Sequence, residues 1–414
     1  MIDVCSQESR PLLSIEDALD RIKAAVIPVH STEKVALNNA LGRILAEPVY
    51  SSINIPHDRN AAMDGYAFAS RDRAGGQAFT LALAGTSWAG RPFQGQMQPG
   101  QCVRIFTGAV VPKEADSVVM QESVQVQGQT IHFPADTRAQ QNIRQIGEDV
   151  KQDACLIAEP KKLTAVDLGL LASAGIGEVT VKRRLKIAYF STGDELTPLD
   201  QPLEPGKIYD SNRTMLGGLL VDPSYCVADL GVIPDNKQLL EDSLVEASKN
   251  YDVIITTGGA SVGEADYVKE ILQKSGEVNF WKLAMKPGKP LAFGKIGQCY
   301  FFGLPGNPVA VVVTFHQMVA PALRQLSGAW FAKPLRFAAT CTSVLKKAPG
   351  RQEYQRGILS QDERGEFFVA SAGQQGSNIL SSMSQSGCYI ILPEECNGVQ
   401  AGDRVTVEPF ALFI

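Results

Sequence analysis

The sequence predicts a multidomain chain, α/β and β in class, built around a doubly wound, mostly parallel sheet domain. Three observations carry this. From about 183 to 328, continuous apolar runs alternate with helical segments, the pattern of parallel strands covered on both faces. Short β-rich runs split by Gly, Pro and Gln fill residues 51–142, and a similar texture returns from 331 to the end, as expected of a β-rich insertion and a compact C-terminal β-barrel. Helices are predicted on both sides of the first β-rich stretch, so a helical domain made of 1–50 and 143–182 is interrupted by it.

In chain order, "SIEDALDRIKAAV" reads as a helix with Ser14 as its N-cap and Asp17 closing a capping box. A second helix is predicted over "NNALGRILAE". After the β-rich runs "AFTLALAG", "QCVRIFTGA", "DSVVMQESVQVQG" and "QTIHF", a helix returns at "TAVDLGLLASAG", with Thr164 and Asp167 as its box and Gly175 just past its end. The sheet domain (183–330) alternates "LKIAYFS", "VADLGVI", "YDVIITT" and "CYFFGL" as strands with four helices, the last being "PVAVVVTFHQMVAPALRQL". An extra pair, "FWKLAM" and "PLAFGKI", precedes the last strand. The barrel (331–414) is predicted from "RFAATCTSVL", "EYQRGILS", "EFFVASAG", "CYIILP" and "DRVTVEPF".

Composition narrows the function. The 414 residues exceed a single core, and 44% apolar with 20% charged content is that of an ordinary globular protein. A net charge of −5 without a long basic run argues against a nucleic-acid surface. The eight cysteines and four histidines are scattered without C-x-x-C spacing, so neither zinc nor a disulfide framework is expected. The N-terminus lacks a cationic end followed by an apolar core, so no signal peptide is expected, and the apolar runs are short for a membrane span. A cytoplasmic protein is the expectation.

Ligands of doubly wound sheets bind beyond the carboxyl ends of the strands. The residues there are Thr192-Gly193-Asp194-Glu195, Pro234-Asp235, Gly258-Gly259-Ala260-Ser261-Val262-Gly263-Glu264 with Asp266 close behind, and Pro305-Gly306-Asn307-Pro308. Singly, each has a structural reading. Asp235 can cap a helix with Gln238, Asn307-Pro308 is a cap and first-turn pair, Gly258-Gly259 is a tight turn, and Glu195 and Asp266 suit a helix dipole. Jointly they describe one rim. Lys282, Lys286 and Lys289 crowd into eight residues, with Lys282 and Lys286 on one face of an extended strand; the alternative is a charged edge strand. Glycine N–H groups and lysines hold phosphate oxygens, and carboxylates hold Mg²⁺ that bridges to them. A magnesium-bound pyrophosphate or another oxyanion meets both demands. Neither a P-loop signature nor G-x-G-x-x-G is present.

The strings "AAMDGYA", "IFTGAVVP", "IGEDV", "STGDEL", "IYDSN", "TTGGASVGEADY", "MKPGKP", "GLPGNPV" and "GQQGSNILSS" run in order over nearly the whole chain. In them the chain resembles the molybdopterin molybdenumtransferases, which include bacterial MoeA proteins and the corresponding domains of gephyrin and Cnx1. The resemblance implies that adenylated molybdopterin and molybdate are converted to molybdenum cofactor and AMP with Mg²⁺. It also implies a homodimer whose sites use both subunits. Carried over by motif, the catalytic set is Asp64, Thr107, Asp149, Glu195, Asp235, Asp266, Lys282 and Lys286, with Glu195, Asp235 and Asp266 toward the metal. Substrate-binding positions are Gly258, Gly259, Ser261, Gly263, Lys289, Pro305, Gly306, Asn307, Arg356 and Ser377. The molybdate pocket falls on Ser261, Lys286, Lys289, Arg356 and Ser377. Ala61, Ile146 and Ala310 depart from the residues common in the family. Alternatives are a molybdopterin adenylyltransferase, which shares the sheet domain but lacks the flanks, and a non-catalytic scaffold of the gephyrin type. The adenylyltransferase and downstream cofactor carriers are the expected partners.

Overall fold

Four parallel strands form the heart of the molecule. In a computed structural model that describes residues 12–73, 75–258, 271, 276–330 and 333–410, they are β1 (Leu185–Thr192), β2 (Tyr225–Ile233), β3 (Val253–Thr257) and, after an excursion, β7 (Cys299–Leu304). The excursion comprises β4 (Gly276–Lys282), β5 (Met285–Lys286) and β6 (Pro290–Ile296). The sheet order is β2-β1-β3-β7-β6-β4, with β6 and β4 antiparallel to their neighbours. Helix α1 (Ile15–Ala25) buries Ile15, Ala18 and Ile22 in the core of this sheet. Helices α2 (Ser211–Leu219) and α3 (Lys237–Asn250) follow β1 and β2. The expected fold class is the one found.

The helix after β7, Pro308–Leu326, is the one described helix long and apolar enough to cross a membrane, with a mean hydropathy of 1.2, yet 78% of it is buried inside the protein. It passes through a π-helical turn at Phe315–Val319. Pro321 follows that turn and has no N–H to donate, so the regular bonding pattern cannot run through it unbroken.

β5 does not join this sheet. It pairs in parallel with the barrel, Met285 with Gln352 and Lys286 with Glu353. The barrel strands are β8 (Phe337–Cys341), β9 (Gln352–Gln361), β10 (Phe367–Ser371), β11 (Cys388–Leu392) and β12 (Arg404–Pro409). They run β9-β10-β8-β12-β11, and β9 pairs with β11 to close five strands on themselves.

In the N-terminal half, Thr32–Ala36 pairs with Glu178–Lys182, and Ile44–Leu45 with Lys161–Lys162. A six-stranded sheet that includes Gly65–Phe68, Phe79–Ser87 and Gln101–Ile105 lies between these segments in sequence. The helix Ala165–Ser173 has the expected capping box of Thr164 and Asp167, and Gly175 follows it at φ +75°. The helix predicted over "NNALGRILAE" does not form. A 3-10 turn covers Leu37–Asn39, and the chain then turns at Gly42 and enters a strand. Gly42 has φ +71°, and a Cβ there would lie 2.7 Å from Pro223 Cγ, so the left-handed turn and the contact both demand glycine. Ile44 and Leu45 are buried as strand residues, and buried Arg43 donates to the Lys182 carbonyl at 2.9 Å.

A cavity of about 720 Å³ lies between α2, the Pro308–Leu326 helix and Phe410, lined mostly by apolar groups, with Asp210, Ser211, Thr214, Ser384 and His316 among them. Burial pulls the His316 imidazole from its ordinary 6.5 to about 4. Its Nδ1 lies 3.0 Å from the Tyr389 hydroxyl. The folded protein therefore holds this ring neutral while the unfolded chain protonates it below about 6.5. Stability should fall as pH drops from about 6.5 toward about 4, and His316→Gln should flatten that slope in urea titrations at stepped pH.

Candidate active site

Because β1, β2, β3 and β7 run parallel, their carboxyl ends share one edge, and side-chain bonds tie those ends together. Ser191 Oγ lies 2.8 Å from Thr257 Oγ1, joining β1 to β3. Thr192 Oγ1 donates to Asp235 Oδ1 at 2.5 Å, joining β1 to the loop after β2. The Asp235 amide donates to Asp194 Oδ1 at 3.3 Å, and Lys207 Nζ donates to the Asp194 carbonyl. Gly258 sits at φ +85°, where a Cβ would lie 2.5 Å from the Thr192 carbonyl oxygen. Glu195 is exposed, and its carboxylate folds back over Gly193, 2.5 Å from where a Cβ would stand there.

Asp235 is not the helix cap. Asn236 caps α3, its Oδ1 accepting from the amides of Gln238 and Leu239 at 3.0 and 3.1 Å. That leaves the Asp235 carboxylate to Thr192 and to the open rim.

The loop after β7 is fixed from two sides. Asn212 Nδ2 donates to the Gly306 carbonyl at 2.7 Å, while its Oδ1 is buried without a partner among the described residues. The Val309 amide donates to the Ser377 carbonyl at 3.1 Å. Asn307 holds the N-cap position, followed by Pro308, but makes no side-chain cap bond. Pro305 precedes this loop at the end of β7.

Arg356 is 1% exposed. Its Nη2 donates to the carbonyls of Gln374 and Gly376 at 3.0 and 2.9 Å, its Nη1 to Gln375 at 3.2 Å, and its Nε to Ser382 Oγ at 3.2 Å. It neither snorkels to solvent nor presents an open guanidinium. It shapes the loop that carries Ser377.

Lys282, Lys286 and Lys289 are all exposed. Lys282 and Lys286 do not share a strand face as the period of two predicts, because β4 ends at Lys282 and β5 belongs to the barrel sheet. The three residues between them, Leu283, Ala284 and Met285, are all buried. Lys286 Nζ donates to Glu353 Oε1 at 2.9 Å.

The remaining acids lie in the N-terminal half. Asp64 Oδ1 accepts from the Thr107 amide at 2.8 Å and from its hydroxyl at 2.7 Å. These bonds, the amide first, hold the Asp64 carboxyl below its usual range. Asp149 is exposed, and its amide donates to the Ile55 carbonyl at 3.0 Å. Among the described residues no hydrogen bond or ion pair joins Asp64, Thr107 or Asp149 to Glu195, Asp235, Lys282 or Lys286. Gly259, Ser261, Gly263 and Asp266 lie outside the described residues. Of the departures from the family pattern, Ala61 and Ala310 are buried and Ile146 is 51% exposed.

Sequence reasoning placed Thr192 and Asp194 on the rim without giving either a role, and it missed Asn212 and Glu353. Asp194 and Asn212 stood inside strings already singled out, whereas Glu353 carried no signal because its partner is 67 residues away.

Comparison with known proteins places this geometry. Residues 13–175 match the MoeA N-terminal region (domain I and II), residues 188–325 a probable molybdopterin binding domain, and residues 338–410 the MoeA C-terminal region (domain IV). A molybdopterin molybdenumtransferase of Haemophilus influenzae is 45% identical over 402 residues, 96% of this chain and 99% of its own. The chain belongs to the molybdopterin molybdenumtransferase family. The family is one of transferases in molybdenum cofactor biosynthesis. A gephyrin of Dictyostelium discoideum is 34% identical over 90% of this chain and 58% of its own length. The solved molybdopterin biosynthesis MoeA protein of Pyrococcus horikoshii superposes with a TM-score of 0.82 at 29% identity, over 96% of this chain and all of that one.

The split between cap and rim acid can be measured. Asn236→Ala should lower the unfolding free energy by about 1 kcal/mol in urea titration, whereas Asp235→Ala should leave the α3 cap intact and shift the midpoint less.

Proposed function

We propose that this chain inserts molybdate into adenylated molybdopterin with release of AMP, aided by Mg²⁺. The observation that carries the proposal is the rim itself. Glu195 and Asp235 at the sheet's strand ends, and the exposed amines of Lys282, Lys286 and Lys289 on the segment that leaves the same edge of the sheet, combine acid and base within a family of this activity. Every carboxylate the family motifs call for is present in the sequence, which favours an enzyme over a scaffold that has abandoned catalysis. Flanks on both sides of the sheet domain favour insertion over adenylation.

The rim's oxygen donors suit a hard cation. Among the described residues no three His, Cys, Asp or Glu side chains gather as a metal site; Mg²⁺ keeps water and phosphate oxygens among its ligands beside protein carboxylates. Glu195, Asp235 and Asp266 would hold it, and it would supply Lewis acidity and charge neutralisation at the phosphoric anhydride. Lys282 offsets charge that develops on the anhydride oxygens. Lys286, Lys289, Ser261, Arg356 and Ser377 form the molybdate side, where ammonium and hydroxyl donors suit a dianion. Arg356 serves there through the loop it shapes. The glycines of the loop after β3 and Pro305, Gly306 and Asn307 contact the substrate.

Asp64, Thr107 and Asp149 serve the site of a second subunit in a homodimer. Exposed apolar side chains beside the cavity, Leu199 at 63% and Ile208 at 54%, suit burial against such a copy. A molybdopterin adenylyltransferase supplies the substrate and cofactor carriers remove the product. The seven described cysteines are free thiols, in keeping with a cytoplasmic location.

In the deciding assay, the protein is mixed with Mg²⁺ and adenylated molybdopterin, and AMP is followed by chromatography. AMP should appear on adding molybdate and not before. Asp235→Ala and Lys286→Ala should each lose at least about 100-fold in rate while keeping a cooperative unfolding transition. Formation of adenylate from ATP and molybdopterin without molybdate would instead establish the adenylyltransferase, and folded protein inert in both assays would establish the scaffold.

A further inference from the structure

A buried carboxylate stands behind Lys286. Glu353, on β9, is 5% exposed. Its Oε1 accepts from Lys286 Nζ at 2.9 Å, and its Oε2 accepts from Gln355 Nε2 at 3.0 Å. The Gln355 amide also donates to the Lys346 carbonyl at 2.9 Å. Backbone geometry fixes the same pair, since Lys286 and Glu353 stand in register where β5 meets β9. The Lys286 side chain remains 49% exposed. An ammonium has three N–H donors; here one is committed to a rigid acceptor, and two are left on the open side.

We propose that Glu353 is a positioning residue of the molybdate site: it holds the Lys286 ammonium in place, with two free donors, for the incoming oxyanion. The proposal rests on the reading of Lys286 as a molybdate ligand. An unanchored lysine would lose its side-chain freedom at every binding event, and an anchor removes that loss in advance. Glu353 is in turn fixed by a neutral amide rather than by a second cation, so no other positive group competes with Lys286 for it. The arrangement makes the barrel part of the site, through a residue that touches no substrate.

The test measures AMP release with saturating adenylated molybdopterin and varied molybdate, with thermal melting as the control for folding. Glu353→Gln keeps the size and removes the charge. It should raise the molybdate KM about tenfold or more and leave the KM for adenylated molybdopterin unchanged. Glu353→Asp, which keeps the charge on a shorter stem, should recover part of the loss. On a Lys286→Ala background, Glu353→Gln should add nothing further, and the double variant should melt above Lys286→Ala alone, which leaves a buried carboxylate without its partner. A purely structural latch would lower the melting temperature or the active fraction and leave the molybdate KM in place. An unchanged molybdate KM in Glu353→Gln, or an effect that adds in full to Lys286→Ala, overturns the proposal. If Glu353→Gln does not fold, an unchanged KM in Glu353→Asp overturns it instead. Should Lys286→Ala itself leave the molybdate KM unaltered, the reading of Lys286 as a ligand fails, an outcome distinct from the loss of Glu353's role alone.

Discussion

Between Lys282 and Lys286 the chain leaves one sheet and enters another, and the rest of the candidate site depends on that crossing. Each step of it is held by backbone bonds. The Leu13 amide donates to the Lys282 carbonyl and the Ala284 amide to the Leu13 carbonyl, both at 2.8 Å. The Leu283 amide donates to the Lys289 carbonyl at 2.7 Å, and the Gln352 amide to the Ala284 carbonyl at 3.0 Å. Leu283 and Met285 are wholly buried, in a core that α1, the parallel strands and the barrel's Tyr354, Tyr389 and Ile391 share. A crossing packed on every side cannot swing independently of either sheet. The lysines on it are therefore placed relative to the strand-end acids by hydrophobic packing, and not by their own weak, screened attraction across solvent.

Acids and amines are supported differently, and the difference has an electrostatic consequence. Asp235 is held by the Thr192 hydroxyl, Asp194 by the Asp235 amide, and Asp64 by the Thr107 amide and hydroxyl. Neutral donors orient a carboxylate without cancelling its charge. A lysine or arginine in the same place would fix it as well but would spend the charge a cation needs. Lys286 is held instead by an ion, Glu353. Its half-exposed head keeps two donors, so the pairing costs it some attraction for an anion in return for a fixed position.

The sheet and the barrel were legible because their strands are continuous apolar or alternating runs, and the strand-end rule then pointed to Thr192–Glu195, Asp235 and Pro305–Asn307 without coordinates. The helix expected over "NNALGRILAE" was not legible as a turn and strand. Its apolar residues fit a helical period, but Gly42 turns left-handed against Pro223 and Ile44 and Leu45 pair with Lys162 and Lys161 as a strand. Asp235 was ambiguous because two adjacent residues, Asp235 and Asn236, can both cap. Asn accepted the amides and freed Asp, a choice that depends on one residue of register. The shared face predicted for Lys282 and Lys286 failed because periodicity assumes a single sheet.

The stretch "EYQRG" shows why the support of the site was hidden. Three polar side chains within four residues read as a solvent-exposed strand, yet Glu353, Tyr354, Gln355 and Arg356 are each no more than 5% exposed. In this half of β9 both faces are covered, whereas farther along the strand exposure returns. Polar groups tolerate such burial only when each finds a partner. Here Glu353 meets Lys286 and Gln355, and Gln355 also reaches the Lys346 carbonyl. Arg356 spends four of its five N–H donors on Ser382 and the carbonyls of 374–376. Apart from the Glu353–Gln355 bond within the strand, those partners lie outside it; the strand's polarity makes sense only once the crossing, Lys346 and the 374–377 loop are packed against it. One barrel strand thus supports both Lys286 and the loop of Ser377, so displacement of β9 would disturb the two together, though they lie far apart in sequence.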